Sequence, residues 1–467
     1  MRKLIFSSII LSLAMLAACS SDDITTIDPP KPKPEEPIVY EKYEIIDDNL
    51  YYDEMQLGSS KTLWVQPKEL KEGSKAEGIV WYLNDKKVGT GVSYTFSPVQ
   101  EGKYSIKYDI SVNNSATGKG QSKLFNLVAY KMGGVYILEE ANYSADESCR
   151  GVSIHTFGTD GVKEYIKGDF TSFGATSYYI QNWSKTLYNL SDVKTKGVAL
   201  SQFSTGDAPK MLNKVATFDG AVRTFSGIDE NIGIITTTKA NIIDLKTLTI
   251  KGSLKGSEGA TNTFVTEGYL FVITTEGAKA YKLDNLSPTT EPKLLGAATI
   301  GFVKSKDGSL WAFNAKELLC INTRDLKTKV IPLPEGVEAK NSSNPWKQFS
   351  LAASTKENAI FWVNDSGWGT GNEVYKYVIE TNTLIKDFIV SEALSKYMLY
   401  GNAILYNAEK DELLCAALKG YGADFSQSAI YTFNASTGAK VGEVLFSTDE
   451  GGKNMWANAM LSPIKIY

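Results

Sequence analysis

The chain of 467 residues contains one histidine, His155, and this limits the chemistry that it can perform. A Ser–His–Asp triad needs an imidazole base, and the common catalytic zinc sites use two or three histidines. His155 lies inside the β-rich run GVSIHTF, where a structural role is the simpler interpretation. We therefore expect no catalytic residue, no metal site and no cofactor.

A glycine-rich stretch, NDSGWGTGNE at 364–373, contains residue types that occur in phosphate and calcium sites. No lysine follows its glycines and no βαβ pattern surrounds it, so it is neither a phosphate loop nor a dinucleotide fingerprint. Its acidic and amide residues do not have the spacing of a calcium loop. We interpret it as a surface loop in which glycine permits tight turns.

The four cysteines form no metal or redox motif. Cys19 follows an apolar leader, which leaves Cys149, Cys320 and Cys415 without any close spacing. A secreted protein can form disulfides, but Cys320 and Cys415 lie in strand-like runs, where buried free cysteine is common. We expect free thiols there.

Aromatic, carboxylate and amide residues in long polar connections are the candidate binding residues. Exposed aromatic rings either cover a small core beneath a loop or form a recognition surface. As a set they favour recognition, because long loops on a rigid scaffold are where binding concentrates. Stacking rings with orienting polar groups suit a bulky, amphipathic, nearly neutral ligand such as an oligosaccharide or a corrinoid. The candidate ligand-binding residues are Tyr143, Trp346, Trp368, Tyr421, Phe425, Trp456, Asp365 and Asn372.

These connections belong to a repeat that fills residues 131–467. Short β-rich runs flank polar turns at Gly158, Ser204, Asp244, Asp284, Asn322, Glu380 and Asn434. A unit of roughly 40 residues with several short strands is typical of a β-propeller blade, and the repeat predicts seven blades. The first unit holds only three strand-like runs, so we expect the C-terminal run WANAMLSPIKIY to complete it and close the ring.

The meander of each blade assigns its connections to two faces. Strand direction alternates, so turns joining first to second and third to fourth strands share one face, and the other connections share the opposite face. Turns on the first face are short, as at Asn182, Asp229 and Lys306, whereas the long connections fall on the second. We name these the short-turn face and the long-connection face, and we place the candidate binding residues mainly on the latter.

Residues 1–18 have the pattern of a leader, in which two basic residues precede an apolar run too short to span a membrane. The LAAC sequence resembles a bacterial lipobox, which implies lipidation of Cys19. The acidic SSDD that follows resembles an export signal to the outer face of the outer membrane. Residues 19–39, rich in proline and charge, are expected to form an extended spacer. The alternatives are an ordinary secretory leader and retention in the periplasm.

Residues 40–130 have the pattern of a separate all-β module. Strand-like runs alternate with Gly, Asn and Pro turns, which is typical of an immunoglobulin-like β-sandwich. The segment VWYLNDKKVGTGVSYTFSPVQEGKYSIKYDIS resembles PKD-like domains, with Trp81 and Tyr104 expected in the core. It contains no binding motif, so we expect a spacer or docking role. The net charge of the whole chain, −4, and the absence of a basic block argue against a nucleic-acid partner.

The lipobox, the PKD-like module and repeat units such as IIDLKTLTIKGSL together resemble the DUF5074-type, YncE-like surface lipoproteins. Relatives of that kind include outer-surface propellers that capture cobalamin and pass it to a TonB-dependent importer. The strand pattern and the repeat predict an all-β chain, a sandwich followed by a seven-bladed propeller. The resemblance implies that it captures a small-molecule ligand and has an outer-membrane TonB-dependent transporter as partner. Two alternatives stay open: a protein-interaction scaffold that docks on a transporter, and an enzyme that uses carboxylates.

Overall fold

The computed structural model describes the chain in the segments 52–65, 79–110, 121–140, 153–158, 176–193, 197–206, 209–218, 224–266, 268–339, 350–364, 370–371, 373–389, 397–419, 427–447 and 456–467. These segments form β-strands joined by turns and loops. No helix among them has the length and apolar character needed to cross a membrane.

The N-terminal module, residues 52–130, has two sheets that share one core. Its strands are β1 (Tyr52–Gln56), β2 (Lys61–Trp64), β3 (Ile79–Leu83), β4 (Lys86–Thr90), β5 (Ser93–Phe96), β6 (Gly102–Ile110) and the first half of β7 (Gln121–Glu140). One sheet has the order β1-β7-β6-β3-β4, and the other pairs β2 with β5. Trp81 is fully buried between them, as expected, and Tyr104 packs against the same core. The PKD-like identity of the module stays a prediction.

Six sheets have the antiparallel four-strand meander of a propeller blade. Blade 1 contains β9 (Thr176–Trp183), β10 (Thr186–Val193), β11 (Gly197–Ser204) and β12 (Met211–Phe218). Blade 2 contains β13 (Phe225–Gly227), β14 (Ile232–Thr236), β15 (Ala240–Asp244) and β16 (Ile250–Ser253). Blade 3 contains β17 (Asn262–Thr266), β18 (Tyr269–Thr274), β19 (Gly277–Lys282) and β20 (Lys293–Gly296).

The remaining three blades follow in chain order. Blade 4 contains β21 (Ile300–Lys304), β22 (Leu310–Phe313), β23 (Glu317–Ile321) and β24 (Thr328–Pro332). Blade 5 contains β25 (Leu351–Ser354), β26 (Ala359–Asn364), β28 (Glu373–Val378) and β29 (Thr383–Ile385). Blade 6 contains β30 (Tyr397–Asn407), β31 (Glu412–Lys419), β32 (Gln427–Asn434) and β33 (Lys440–Ser447), with the short β27 (Thr370–Gly371) added beside β30. Outside the blades, β8 (Ser153–Gly158) and β34 (Trp456–Ile466) flank the second half of β7.

The prediction of seven blades is wrong: six separate blade sheets are found in the described residues. The segment expected to form the first blade does not form a separate blade sheet, because β7 continues for 20 residues and pairs first with β1 and β6 of the N-terminal module, then with β8 and β34. Gly133 and Gly134 do not break it. A Cβ at Gly133 would lie 2.6 Å from the Ile466 side chain, and one at Gly134 would lie 2.0 Å from the Phe157 carbonyl oxygen. These glycines allow close packing rather than a turn.

The C-terminal strand closes the ring, as the sequence predicted. β34 pairs antiparallel with β7, from Ile466 opposite Lys131 to Trp456 opposite Glu140. The first strands of successive blades contact one another around the axis, and β34 contacts both β9 and β30. The first strands and β34 therefore form the inner wall of the propeller.

Apolar cores between neighbouring blades stabilise the ring. Middle strands such as β22 are buried along their full length, because both of their faces are covered. Their short continuous apolar runs follow from this burial. Cys320, which is half-buried on β23, and Cys415, which is buried on β31, are free thiols, and burial raises the pKa of the Cys415 thiol, which keeps it protonated. Cys149 lies outside the described residues.

Candidate functional site: an axial cavity beside the N-terminal module

The N-terminal module covers the short-turn face of the propeller. At the β9–β10 turn of blade 1, the Ser184 backbone N–H donates to Glu54 Oε1 at 2.9 Å. At the β23–β24 turn of blade 4, the Arg324 guanidinium lies over the Trp64 ring, 4.1 Å from its centroid. Contacts to well-separated blades hold the module across this face.

The contact with blade 6 brings two backbones together. Gln56 Oε1 accepts a hydrogen bond from the Ala408 backbone N–H at 2.6 Å. Gly58 adopts a φ of +81°, and a Cβ there would lie 2.8 Å from the Ala408 carbonyl carbon and oxygen. Because the neighbouring atoms are backbone, no side chain can be accommodated at this position and glycine is required.

A buried ion pair joins β1 to the strand that closes the ring. The side chain of Glu54 is 1% exposed and that of Lys465 is 6% exposed. Glu54 Oε2 accepts from Lys465 Nζ, while Oε1 accepts from the Tyr52 hydroxyl at 2.8 Å and the Tyr467 hydroxyl at 3.1 Å. Lys465 Nζ also donates to the Asn182 carbonyl oxygen at 2.6 Å. These additional hydrogen bonds offset the cost of removing both charges from water.

The phenols around this pair are held neutral. Burial, followed by the negative charge of Glu54, raises the pKa of Tyr52 and of Tyr467. Burial, followed by the charges of Glu54 and Asp53, also raises the pKa of Tyr130. At neutral pH, these hydroxyls therefore stay protonated, and those of Tyr52 and Tyr467 donate hydrogen bonds to Glu54.

Beside the ion pair lies the axial cavity, a space of about 420 Å³ bounded by β1, by β7 and by the inner strands of the ring. Its walls combine aromatic rings with hydroxyl and amide groups. The residues that give the cavity this character are Tyr179, Trp183, Phe264, Phe302, Gln181, Asn182, Ser226, Asn262 and Thr263. Such a mixture is typical of small-molecule sites, in which apolar walls surround a few orienting polar groups.

Hydroxyl groups on blades 2 and 3 form a connected chain along one wall. The Thr224 hydroxyl lies 2.8 Å from that of Thr236 and 3.2 Å from that of Thr263. The Thr263 hydroxyl lies 2.8 Å from that of Ser226. Each hydroxyl can donate or accept, so the chain can reorient to suit a ligand.

On the wall next to the ion pair, Asn182 is 1% exposed and its Oδ1 has no hydrogen-bond partner within the described part of the chain. An unsatisfied buried acceptor is costly. Asn182 lines the axial cavity, so this unsatisfied acceptor belongs to the cavity wall.

The charges that line the axial cavity are paired. Asp53 Oδ2 accepts from Lys61 Nζ and Oδ1 accepts from the Glu54 backbone N–H, while Glu54 pairs with Lys465. The described residues contain no group of three or more His, Cys, Asp or Glu side chains placed to hold a metal ion. The arrangement is suited to binding a neutral polar molecule.

The residues predicted to bind ligand fall on connections that the structure does not describe. Tyr143, Trp346, Trp368, Tyr421, Phe425, Asp365 and Asn372 lie outside the described residues, as does the predicted lipidation site Cys19. Trp456 is described only as the first residue of β34. Their roles stay predictions.

The residues of the axial cavity were not predicted from the sequence. One feature of the sequence could have indicated a polar inner wall: Lys465 interrupts the apolar C-terminal run. A second such feature is the alternation of polar and apolar residues on inner strands, as at Thr224 and Ser226 on either side of Phe225. A charge or hydroxyl at such positions indicates an inner wall that is polar.

One solved structure agrees with this architecture. A quinonprotein alcohol dehydrogenase-like protein from Bacteroides thetaiotaomicron VPI-5482 is similar in structure, with a TM-score of 0.50 and 16% identity over 85% of this chain and 94% of that one. AztD from Citrobacter koseri matches with a TM-score of 0.41 and 10% identity over 71% of this chain and 100% of that one. No curated protein matches the sequence.

The first of these similarities shows the propeller fold alone, because its sequence identity is low. A family model described as a domain of unknown function, DUF5074, matches residues 133–453. This segment is more than half of the chain and includes all six blades. The chain therefore belongs to the DUF5074 family.

Proposed function

We propose that this chain is a binding protein whose propeller captures a bulky amphipathic molecule, a corrinoid or an oligosaccharide, on its long-connection face. The observation that carries the proposal is the occupation of the short-turn face. Glu54, Gln56 and Trp64 of the module contact turns of three different blades there. A ligand or partner is therefore offered the opposite face, where the sequence places the long aromatic connections.

In the same proposal, the N-terminal part of the chain holds the propeller at the cell surface. Lipidation of Cys19 anchors the protein at the outer membrane, facing the cell exterior, and residues 19–39 act as a spacer. A ligand held on the long-connection face can then be handed to a TonB-dependent transporter.

We propose binding rather than catalysis for two reasons. The carboxylates that line the axial cavity are engaged in ion pairs, and the phenols beside them are held neutral. His155 is the only histidine in the chain. An enzyme would need a general base at a substrate site, and the described residues that line the cavity offer none.

Thermal unfolding of the mature chain with and without ligand tests the proposal. A corrinoid such as cyanocobalamin, or one oligosaccharide of a panel, should raise the melting temperature in a saturable manner. Replacement of Trp368 or Trp346 by Ala should weaken binding about tenfold or more, because aromatic anchors dominate interfaces.

Tyr82→Ala is the matched control, since this half-exposed ring lies on the N-terminal module. It should leave binding unchanged. If no corrinoid or oligosaccharide shifts the melting temperature, or if the Tyr82 variant loses binding as the Trp368 variant does, capture on the long-connection face is wrong.

A protein-docking role is the second candidate function, and exposed apolar side chains on the outermost strands of the blades favour it. Outermost strands of several blades expose an apolar side chain, among them Leu212, Leu294, Val330 and Val441, each more than half exposed. Such side chains can contact a membrane-embedded transporter. This role predicts co-purification of a transporter with the wild-type chain and its loss when the four residues are replaced by Ser.

A further inference from the structure

We propose that the axial cavity is a second binding site, separate from the long-connection face, and that it accepts a neutral monosaccharide. Its volume is about 420 Å³, near the lower end of the ~300–1,000 Å³ range of small-molecule pockets. A corrinoid or a long oligosaccharide does not fit such a space, whereas a single sugar ring does. The inference therefore goes beyond the proposed capture function.

The unpartnered acceptor on Asn182 is the first observation that points to a ligand. Its backbone is fixed on both sides, since the N–H donates to Ser462 Oγ at 3.0 Å and the carbonyl accepts from Lys465. The side-chain Oδ1 has no partner among the described residues, although Asn182 is 1% exposed and lines the cavity. A ligand hydroxyl would supply the missing donor.

The neighbouring blades 2 and 3 supply hydroxyl groups that can bind further sugar hydroxyls. Ser226 and Thr263 line the cavity at the end of the hydroxyl chain described above. Beside them, the Tyr179 hydroxyl donates to the Phe225 carbonyl at 2.8 Å and lies 2.9 Å from the side-chain amide of Gln181, which also lines the cavity. Hydroxyl and amide groups on blades 1, 2 and 3 can therefore bind the hydroxyls of a sugar ring.

The aromatic rings and the paired charges of the cavity lining limit which ligands can bind there. Phe264, Phe302 and Tyr179 line the cavity, and the C–H faces of a sugar pack well on such rings. The ionised side chains of the lining, Asp53, Glu54 and Lys465, already have partners of opposite charge. A charged ligand would lose its hydration without gaining a counter-charge, so a neutral sugar is favoured.

Isothermal titration of the mature chain tests the proposal. The probes are D-glucose, D-galactose, D-mannose and N-acetyl-D-glucosamine, with D-glucuronate as the charged comparison. We expect saturable binding of at least one neutral sugar and binding of glucuronate that is at least tenfold weaker. Asn182→Leu should weaken the sugar about tenfold or more, because it removes the acceptor at similar volume.

Ser201→Ala is the matched control. Ser201 Oγ is also buried without a partner among the described residues, but it lies on β11, outside the cavity lining. This variant should bind sugar as the wild type does. Ser226→Ala provides a second cavity variant in case Asn182→Leu does not fold, and it should also weaken binding.

Several results would overturn the inference. They are no saturable binding of any neutral sugar, equal binding of glucuronate, or unchanged binding in a folded cavity variant. Trp368→Ala separates the two sites: it should leave monosaccharide binding intact even if it abolishes capture on the long-connection face. Failure of one proposal therefore does not imply failure of the other.

Discussion

Glu54 and Lys465, 411 positions apart in the sequence, form a buried ion pair that joins the first described strand to the last. The Lys465 ammonium also lies 4.9 Å from the centroid of the Tyr130 ring and 5.8 Å from that of Trp183. One charge therefore contacts the N-terminal module, the closing strand and blade 1. The pair links docking of the module to closure of the ring.

Removing one member of this pair should be strongly destabilising. Lys465→Met leaves the Glu54 carboxylate buried without its counter-charge, which costs about 3–5 kcal/mol in comparable sites. The double variant Glu54→Leu with Lys465→Met should recover much of that loss. Urea denaturation of the wild type, both single variants and the double variant measures the coupling. Lys255→Met, at an exposed pair with Glu291, should change little, and additive single effects would contradict the buried-pair interpretation.

Replacing Gly58 by Ala should disturb the contact with blade 6. The new Cβ would lie within 2.8 Å of the Ala408 backbone, in addition to the cost of the left-handed conformation. Gly268→Ala is the control, because its φ is +80° and no atom lies within 4 Å of the added Cβ. Limited proteolysis and thermal unfolding should show a larger effect for Gly58. Equal effects would mean that backbone strain alone accounts for the loss.

Stability should fall at alkaline pH, and Tyr130 is one of the buried phenols responsible. Burial and the charges of Glu54 and Asp53 raise the pKa of Tyr130 above the ordinary value of 10.0. Above that value the unfolded chain releases the phenolic proton while the folded chain keeps it, so unfolding becomes more favourable as pH rises.

Tyr130→Phe isolates this contribution. Between pH 10 and pH 11, the free energy of unfolding should fall less steeply in the variant than in the wild type, by up to about 1.4 kcal/mol per pH unit. The two should be parallel below pH 9. Urea titrations across this range provide the measurement, and identical slopes above pH 10 would show that Tyr130 ionises normally.

Lys376 should stabilise the contact between blades 5 and 6. Its side chain is 2% exposed, and Nζ donates to the carbonyls of Ala435 at 3.2 Å and Ser436 at 3.0 Å while pairing with Glu357 at 2.5 Å. Lys376→Met should cost about 2–3 kcal/mol, because charged hydrogen bonds are lost. Chemical denaturation measures this loss of stability, and Lys327→Met, at an exposed lysine, is the control. A loss no larger than the control would show that the inter-blade contact contributes little.

The repeat and ring closure could be predicted because both follow from local pattern. Runs such as NIGIITTT and ANIIDL form β14 and β15 because their β-branched residues fill strands buried on both sides. The C-terminal run lacked a unit of its own, which indicated that it pairs with the incomplete first unit. The assignment of short turns to one face also agrees with the structure, in which Ser184 and Arg324 both contact the module.

The remaining features depend on contacts that leave no local pattern. Gly133 and Gly134 have the same sequence appearance as a domain boundary, whereas they serve close packing against Ile466 and Phe157. Glu54 lies in an ordinary polar strand, and its role appears only when Lys465 is placed beside it. Long-range pairing of this kind is set by tertiary structure, so the axial cavity could not be located from sequence.

Because β7 belongs to two sheets at once, the segment that the family model matches lacks some of the strands that pair at its ends. The match covers 133–453, so it begins inside β7 (121–140) and stops before β34 (456–466). A polypeptide cut at those limits would keep six blades but would lose the pairing of β34 with β7 that joins its two ends. We therefore expect residues 133–453 alone to be less stable than the whole chain.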